Sequence, residues 1–509
     1  MSYSNNKRIA KNTAMLYIRM ILTMVVSLYT SRIILNTLGV VDFGIYNVVG
    51  GFVTMFAFFN NAMASATQRF LSFEIGKNDL KQLRNVFSMS INIHLLIALL
   101  ILLFAETLGL WFFKTQLTIP QDRLIAAKWV FHFSILALIV NMLSVPYNAA
   151  IIAHERMKVF AWVSIIEVSL KLLIVFMLQW FGLDKLKFYA VLVFSVSLII
   201  RIIYGIYCSR NFKESKFRFY WNQQLFKTLA NYAGWNLWGN VASVIMGQGI
   251  NVLLNIFFGP VVNAARGIAF QVRAAMNSFV QNFQMAMNPQ IIKSYASGDI
   301  KYMHQLIFQG AKYSFFLLFM ISLPVILETE YILKLWLKTV PEHTLVFTRL
   351  VLINILIDSI SGPLMTAAQA TGKIKLYQSI VGGLLILNLP VSYFFLQWGY
   401  PPEITLWISI GISINALIAR LIIVRILIQI EIACFLSDVI LRIASICIIT
   451  PIFPIIINMK LSESFFRLIL LCIISLLSSA VIIYFVGLAN NERAFIMRKL
   501  IKRNNFGTP

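Results

Sequence analysis

From Thr13 almost to the end, the chain alternates between apolar runs of about 20 residues and short polar connections, and each run is long enough to cross a bilayer. The pattern predicts fourteen helical spans, at approximately 13–38, 43–67, 86–112, 124–150, 157–180, 187–208, 233–258, 261–290, 304–327, 345–370, 376–398, 403–427, 434–457 and 465–488. The spans 43–67 and 261–290 are the most polar. No connection is long enough for a separate soluble domain. The longest, around 209–232, contains "SRNFKESKFRFYW", whose basic and aromatic residues suit a cytoplasmic linker at the membrane surface.

One span breaks the apolar rule in an ordered way. In "RGIAFQVRAAMNSFVQNFQMAMN", the residues Arg266, Arg273, Asn277, Gln281, Gln284 and Asn288 recur at helical spacing and share one face. The preceding span carries Asn236, Asn240, Ser243, Gly247, Asn251 and Asn255 in the same way. A weaker stripe of Arg19, Thr23, Ser27 and Thr30 marks the first span. An Arg in the middle of a membrane helix costs about 2.5–3.5 kcal/mol on insertion scales. Arg273 is far from either end of its span, whereas Arg266 lies near the outer end, where it can snorkel. The bland reading is interhelical packing. The sharper one is a watery cleft, because two adjacent polar stripes exceed what one packed interface needs.

Composition supports a polytopic membrane protein. The 509 residues are 59% hydrophobic and only 12% charged, about half the charged fraction of a soluble chain. The net charge of +24 reflects basic cytoplasmic loops and not nucleic-acid binding. With the N-terminus inside, alternation places about 24 Lys and Arg in inner segments and about 7 in outer loops. Both termini are therefore expected in the cytoplasm. Cys208, Cys434, Cys447 and Cys472 show no metal or disulfide spacing and read as small apolar residues. The basic N-terminus leads into a retained first helix with no clear cleavage site.

An internal repeat organises the spans. "NTLGVVDFGIYNVVGG…ATQRFLSFEIGKND" from Asn36 parallels "NIFFGPVVNAARGIAF…MNPQIIKSYASGD" from Asn255. Gly39 aligns with Gly259 and Gly76 with Gly298. "SVPYNAAIIAHERMKVF" from Ser144 parallels "SGPLMTAAQATGKIKLY" from Ser361, with Pro146 over Pro363. The offset spans six helices, so the two copies are parallel. The expected organisation is a six-helix bundle over 1–208, a basic linker over 209–232, its repeat over 233–427, and two added helices with a basic tail over 428–509.

Six plus six plus two helices, cytoplasmic termini, "LGVVDFGIYNVVGG" and "RFLSFEIGKND" together resemble the polysaccharide-transporter branch of the multidrug/oligosaccharidyl-lipid/polysaccharide (MOP) superfamily. Within it the resemblance is to bacterial O-antigen (Wzx-type) flippases. It covers essentially the whole chain. It implies an all-α, MATE-like fold and movement of undecaprenyl-diphosphate-linked sugar units between the leaflets of the inner membrane. It also implies polysaccharide polymerase machinery as a partner.

The residues suit that cargo. Guanidinium groups bond phosphate oxygens in pairs, and amide side chains both donate to and accept from sugar hydroxyls. The candidate contacts are Arg273, Arg266, Arg19 and Arg32, with Asn277, Gln281, Gln284, Asn288, Asn240 and Asn251 around them. Arg32 can equally snorkel, and Arg69 reads as an interface anchor. No GxxxxGK[ST] loop is present, so coupling to H+ or Na+ is open, with Asp358 and Glu167 as candidate carboxylates and no other cofactor. Glu167 and Lys171 are also spaced for an intrahelical ion pair. His94 and His132 each stand alone in their spans. A multidrug exporter of organic cations is the competing reading, and arginines in the cleft oppose it. A lipid II flippase is a further alternative. A membrane enzyme would need a larger catalytic loop, since Glu328, Glu330 and Glu342 in the outer loop read as solvated charge.

Overall fold

The computed structural model describes residues 2–494, except 55–56, 116–118, 181–183, 217, 259, 338–339 and 490–491. The basic tail beyond 494 and Gly259 lie outside this set, as do some helical side chains, that of Arg32 among them. The helices in chain order are α1 (Ser2–Thr54), α2 (Ala57–Lys77), α3 (Leu80–Phe104), α4 (Leu110–Thr115), α5 (Leu124–Ala153), α6 (Met157–Trp180), α7 (Lys185–Asn211), α8 (Gln223–Phe258) and α9 (Pro260–Ala296). They continue with α10 (Ile300–Leu327), α11 (Thr329–Leu337), α12 (Thr344–Thr371), α13 (Ile374–Gln397), α14 (Ile404–Ile428), α15 (Ile432–Phe435), α16 (Leu441–Ile449), α17 (Ile452–Lys460) and α18 (Phe465–Ile482). No strand occurs among the described residues, and the fold class is all-α.

Eleven described helical segments are long and apolar enough to cross a membrane. The expected spans that fall outside this group are 43–67, 233–258 and 261–290. They are helical wherever described, and the last two hold the longest stripes. Some boundaries differ from the sequence pattern. The break expected between 38 and 43 is absent, because α1 runs unbroken to Thr54. The span near 434–457 is divided into α15, a π-turn at Leu436–Ile440, α16 and α17, with Pro451 at the N-cap of α17. Proline lacks the donor that a continuous helix needs there.

The chain forms two units. The first comprises Met1–Val241 with Met285–Ile300, and the second Ala242–Gln284 with Lys301–Pro509. In the first, α5 packs on α7 and α6 on α7. In the second, α12 packs on α14 and α13 on α14. These are the same pairs at the repeat offset. Pro146 lies inside α5 and Pro363 inside α12.

The repeat also governs the caps. Asn78 (φ 58°) and Gly298 (φ 77°) end α2 and α9 in the left-handed conformation. They are 220 residues apart, so Asn78, and not Gly76, is the counterpart of Gly298. Gly76 instead faces Ala296, its own counterpart at the same offset. A Cβ on Gly76 would fall 2.7 Å from the Ala296 Cβ and 2.8 Å from the Lys293 carbonyl oxygen.

Arg123, the N-cap of α5, holds Asp42 of the "LGVVDFG" motif through both carboxylate oxygens and also Asp184, the N-cap of α7. Burial pushes the Asp184 carboxyl up, but the Lys187 backbone N–H and the Arg123 charge outweigh it and hold it below its usual value. At the equivalent caps of α12 and α14, His343 meets Glu403 at 2.5 Å.

The linker is shorter and better anchored than its composition suggests. Only about ten residues separate α7 from α8. Glu214 and Ser215 are buried, the Phe212 ring stacks on His154, and Asn92 donates to the Tyr220 carbonyl at 2.8 Å. Burial raises the Glu214 carboxyl, but its hydrogen bond with His154 wins and the net shift is downward. Glu328 is likewise not solvated. It is 2% exposed and pairs with Arg467 of α18 at 2.7 Å, because an unpaired buried charge is far more costly. Arg69 is buried against the rings of Phe70, Phe73 and Tyr232.

Candidate functional site

The polar stripe of α9 opens onto a cavity of 390 Å³ within the second unit. Its walls come from α8, α9, α12, α13 and α14. Arg266 and Arg273 sit on α9 at positions four before and three after Phe270. Both guanidinium groups lie over that ring, at 4.4 and 5.2 Å from its centroid. Such contacts keep a cation in an apolar wall at modest energetic cost.

Arg266 does not snorkel outward. It is 5% exposed, and its Nη1 donates to the Gly247 carbonyl at 3.0 Å and to the Asn251 side chain. The α8 stripe thus supplies its acceptors. The Arg266 Nε is buried without a hydrogen-bond partner. Arg273 lies 3.6 Å from Asp358 of α12. Asp358 is therefore a counter-ion to Arg273 and not a lone carboxylate. On the same helix Asn354 donates to Ser413 of α14 at 3.0 Å.

Two lining residues escaped the sequence reading. Arg420 of α14 donates from Nε to the Tyr377 hydroxyl at 3.0 Å and from Nη1 to the Ser361 hydroxyl at 2.9 Å. Asn388 of α13 donates to Ser409 at 2.7 Å and accepts from Ser392 at 2.9 Å. The repeat held a signal for Arg420: Arg201 occupies the matching place in α7, with its guanidinium 4.0 Å from the Tyr147 ring centroid. Long apolar flanks hid both arginines among snorkelling cations.

The other candidates are dispersed. Gln284, at the end of the second unit's part of α9, donates to the Ser314 hydroxyl at 3.1 Å and the Ser359 carbonyl at 3.2 Å. Asn277 is half-buried and Gln281 exposed, and neither lines the cavity. Asn288 and Asn240 belong to the first unit, and the Asn288 Oδ1 is buried without a partner. Arg19, also in the first unit, lies 4.7 Å over the Phe160 ring. Glu167 makes the intrahelical pair with Lys171 at 2.6 Å. His132 does not stand alone, since Glu106 is 3.1 Å away. His94 is fully buried, with Nδ1 2.6 Å from the Ser90 carbonyl. Among the described residues no cluster of His, Cys, Asp and Glu could hold a metal.

Solved structures share this architecture. A crystal structure of MATE in the bent conformation aligns with a TM-score of 0.68 at 13% identity, covering 84% of this chain and 96% of that one. The Vibrio cholerae MATE transporter VcmN in the bent form gives 0.66 at 16% identity, covering 84% and 98%. An outward-facing multidrug resistance MATE family transporter of the MOP superfamily gives 0.66 at 12% identity, covering 84% and 94%. The fold is thus MATE-like. No curated protein matches the chain in sequence.

The family model described as "Polysaccharide biosynthesis protein" matches residues 9–295, more than half of the chain, and the chain belongs to that family.

Proposed function

We propose that this chain is a flippase for an undecaprenyl-diphosphate-linked oligosaccharide, an O-antigen, capsule or exopolysaccharide unit. It carries the sugar from the cytoplasmic to the periplasmic leaflet of the inner membrane, with both termini in the cytoplasm. The two six-helix copies are the bodies that alternate access, and the polymerase machinery receives the product. The observation that carries the reading is the polar cavity with Arg266, Arg273 and Arg420 against the single carboxylate of Asp358. An excess of fixed guanidinium charge attracts phosphate and repels organic cations. The lining asparagines, Asn354 and Asn388, are amides of the kind that bond hydroxyls, as they do with Ser413 and Ser409. Membership of a polysaccharide biosynthesis family supports the same cargo class.

The test is reconstitution. Purified protein in liposomes is supplied with a polyprenyl-diphosphate oligosaccharide in one leaflet, and glycosidase access reports its appearance in the other. Protein-dependent movement of this lipid, without efflux of organic cations, supports the flippase. Cation efflux alone makes the chain a multidrug exporter. Movement confined to lipid II makes the cargo a cell-wall precursor.

A further inference from the structure

Between α7 and α8 the chain sorts its charges by direction. Positions 209–227 hold five bases, Arg210, Lys213, Lys216, Arg218 and Lys227, and a single acid, Glu214. All five bases are exposed, whereas Glu214 is buried and spent on His154. The aromatic residues divide likewise. Phe212 is buried against His154, while Phe219 is 75% exposed and Trp221 49%.

One side of this segment is fixed to the first unit. The turn Lys213–Ser215 packs on α3, and Asn92 of α3 donates to the Tyr220 carbonyl at 2.8 Å. That bond sets the depth of the segment. On α3 the exposed charges Lys81 and Arg84 precede Asn92, and the exposed leucines Leu95, Leu96 and Leu99 follow it. Asn92 therefore stands where a membrane helix passes from headgroups to hydrocarbon. Phe219 and Trp221, on either side of Tyr220, are held at that level. Rings left this open to water are unfavourable, whereas aromatic side chains are favoured at the headgroup boundary.

We propose that the outward edge of this linker is a docking strip for acidic phospholipid headgroups. Lys213, Lys216 and Arg218 contact the phosphates, and Phe219 and Trp221 sit at the boundary of the acyl chains. Charge complementarity selects the lipid. The segment presents no exposed carboxylate to repel an anionic surface, and each base near such a surface strengthens the attraction about fivefold. The strip does not depend on the identity of the cargo.

Hydrogen exchange of the purified full-length protein tests it. Amide exchange over residues 213–222 is measured in nanodiscs of phosphatidylcholine alone and of phosphatidylcholine with phosphatidylglycerol. The acidic discs should slow exchange by about tenfold or more at low salt. About 1 M salt, where screening acts within about 3 Å, should abolish the difference. Lys213→Gln, Lys216→Gln and Arg218→Gln combined should remove most of the slowing. Equal exchange in the two discs overturns the proposal, and that comparison needs no variant. Slowing that survives both high salt and the triple substitution also overturns it. Slowing by soluble polyglutamate in neutral discs, with no response to phosphatidylglycerol, overturns it in favour of an acidic protein partner.

Discussion

Glu155 and Gly372 occupy the same position in the two repeats, 217 residues apart, each just beyond the fourth long helix of its copy and each left-handed, at φ 58° and 77°. Glycine adopts that backbone freely, whereas an L side chain loses roughly 1–2 kcal/mol. Glu155 tolerates the strain because its carboxylate is a junction. Its side chain is 1% exposed and receives Arg8 at 2.8 Å, Lys293 at 2.6 Å and Gln290 at 2.6 Å. Asn12 adds a bond to its carbonyl at 3.2 Å.

This relationship orders two variants. Glu155→Gly removes both the strain and the junction, while Glu155→Ala removes only the junction. Breaking a buried pair costs about 3–5 kcal/mol, and the half-exposed Arg8 adds little to it. Thermal melting in detergent should therefore rank wild type above Glu155→Gly and Glu155→Gly above Glu155→Ala. A glycine variant as stable as the wild type would show that the carboxylate has no net stabilising role.

Gly76 makes a second stability prediction. A methyl group there meets the Ala296 side chain and the backbone of Lys293, all within 3.0 Å. Backbone cannot rotate away as a side-chain tip can. Gly76→Ala should destabilise by about 1–3 kcal/mol, the usual cost of overpacking. Gly234→Ala, where no atom lies within 4 Å of the new methyl, is the control, and its melting temperature should not fall.

Asp184 gives a pH dependence. Its carboxyl is held below the usual value in the folded protein. The stability it contributes is present above the unfolded value, about 3.9, and disappears as pH falls through the lower folded value. The deficit of Asp184→Asn relative to wild type should be full at pH 7 and shrink under strong acid. A deficit that is constant from pH 7 to the acid limit would assign the effect to capping geometry alone.

Arg467 tests a pair that the sequence concealed. Glu328 reads as a solvated loop acid, yet it is buried and depends on Arg467. Arg467→Ala should cost about 3–5 kcal/mol, and adding Glu328→Ala should recover part of the loss because no buried charge then remains. Absence of recovery in the double variant would mean that packing of the arginine stem dominates.

Much of the architecture was legible from the chain. Apolar run length marked the helices, and the Pro146 and Pro363 anchors marked the repeat, because both signals depend on local sequence. Boundaries were harder: α1 passes 38–43 without a break, since Gly39 does not by itself end a helix. The α9 stripe was visible by spacing, but its partners were not, because Asp358 reaches Arg273 from 85 positions away. Arg420 was missed for a similar reason. A single arginine in an apolar helix is indistinguishable from an interface anchor until Tyr377 and Ser361 are brought beside it. Arg266 was legible as a cation, though its inward direction depends on Gly247 and Asn251 of α8.

In the proposed function, guanidinium charge on α9 handles an anionic lipid-linked sugar. The most direct measurement is export of surface polysaccharide in a bacterium lacking its own flippase and supplied with the matching sugar pathway. The wild type is compared with Arg273→Ala and Arg273→Lys at equal membrane levels. The wild type should export, Arg273→Ala should lose export and Arg273→Lys should keep part of it, since lysine keeps the charge without the fork. Equal export by all three would contradict it and leave the stripe as helix packing.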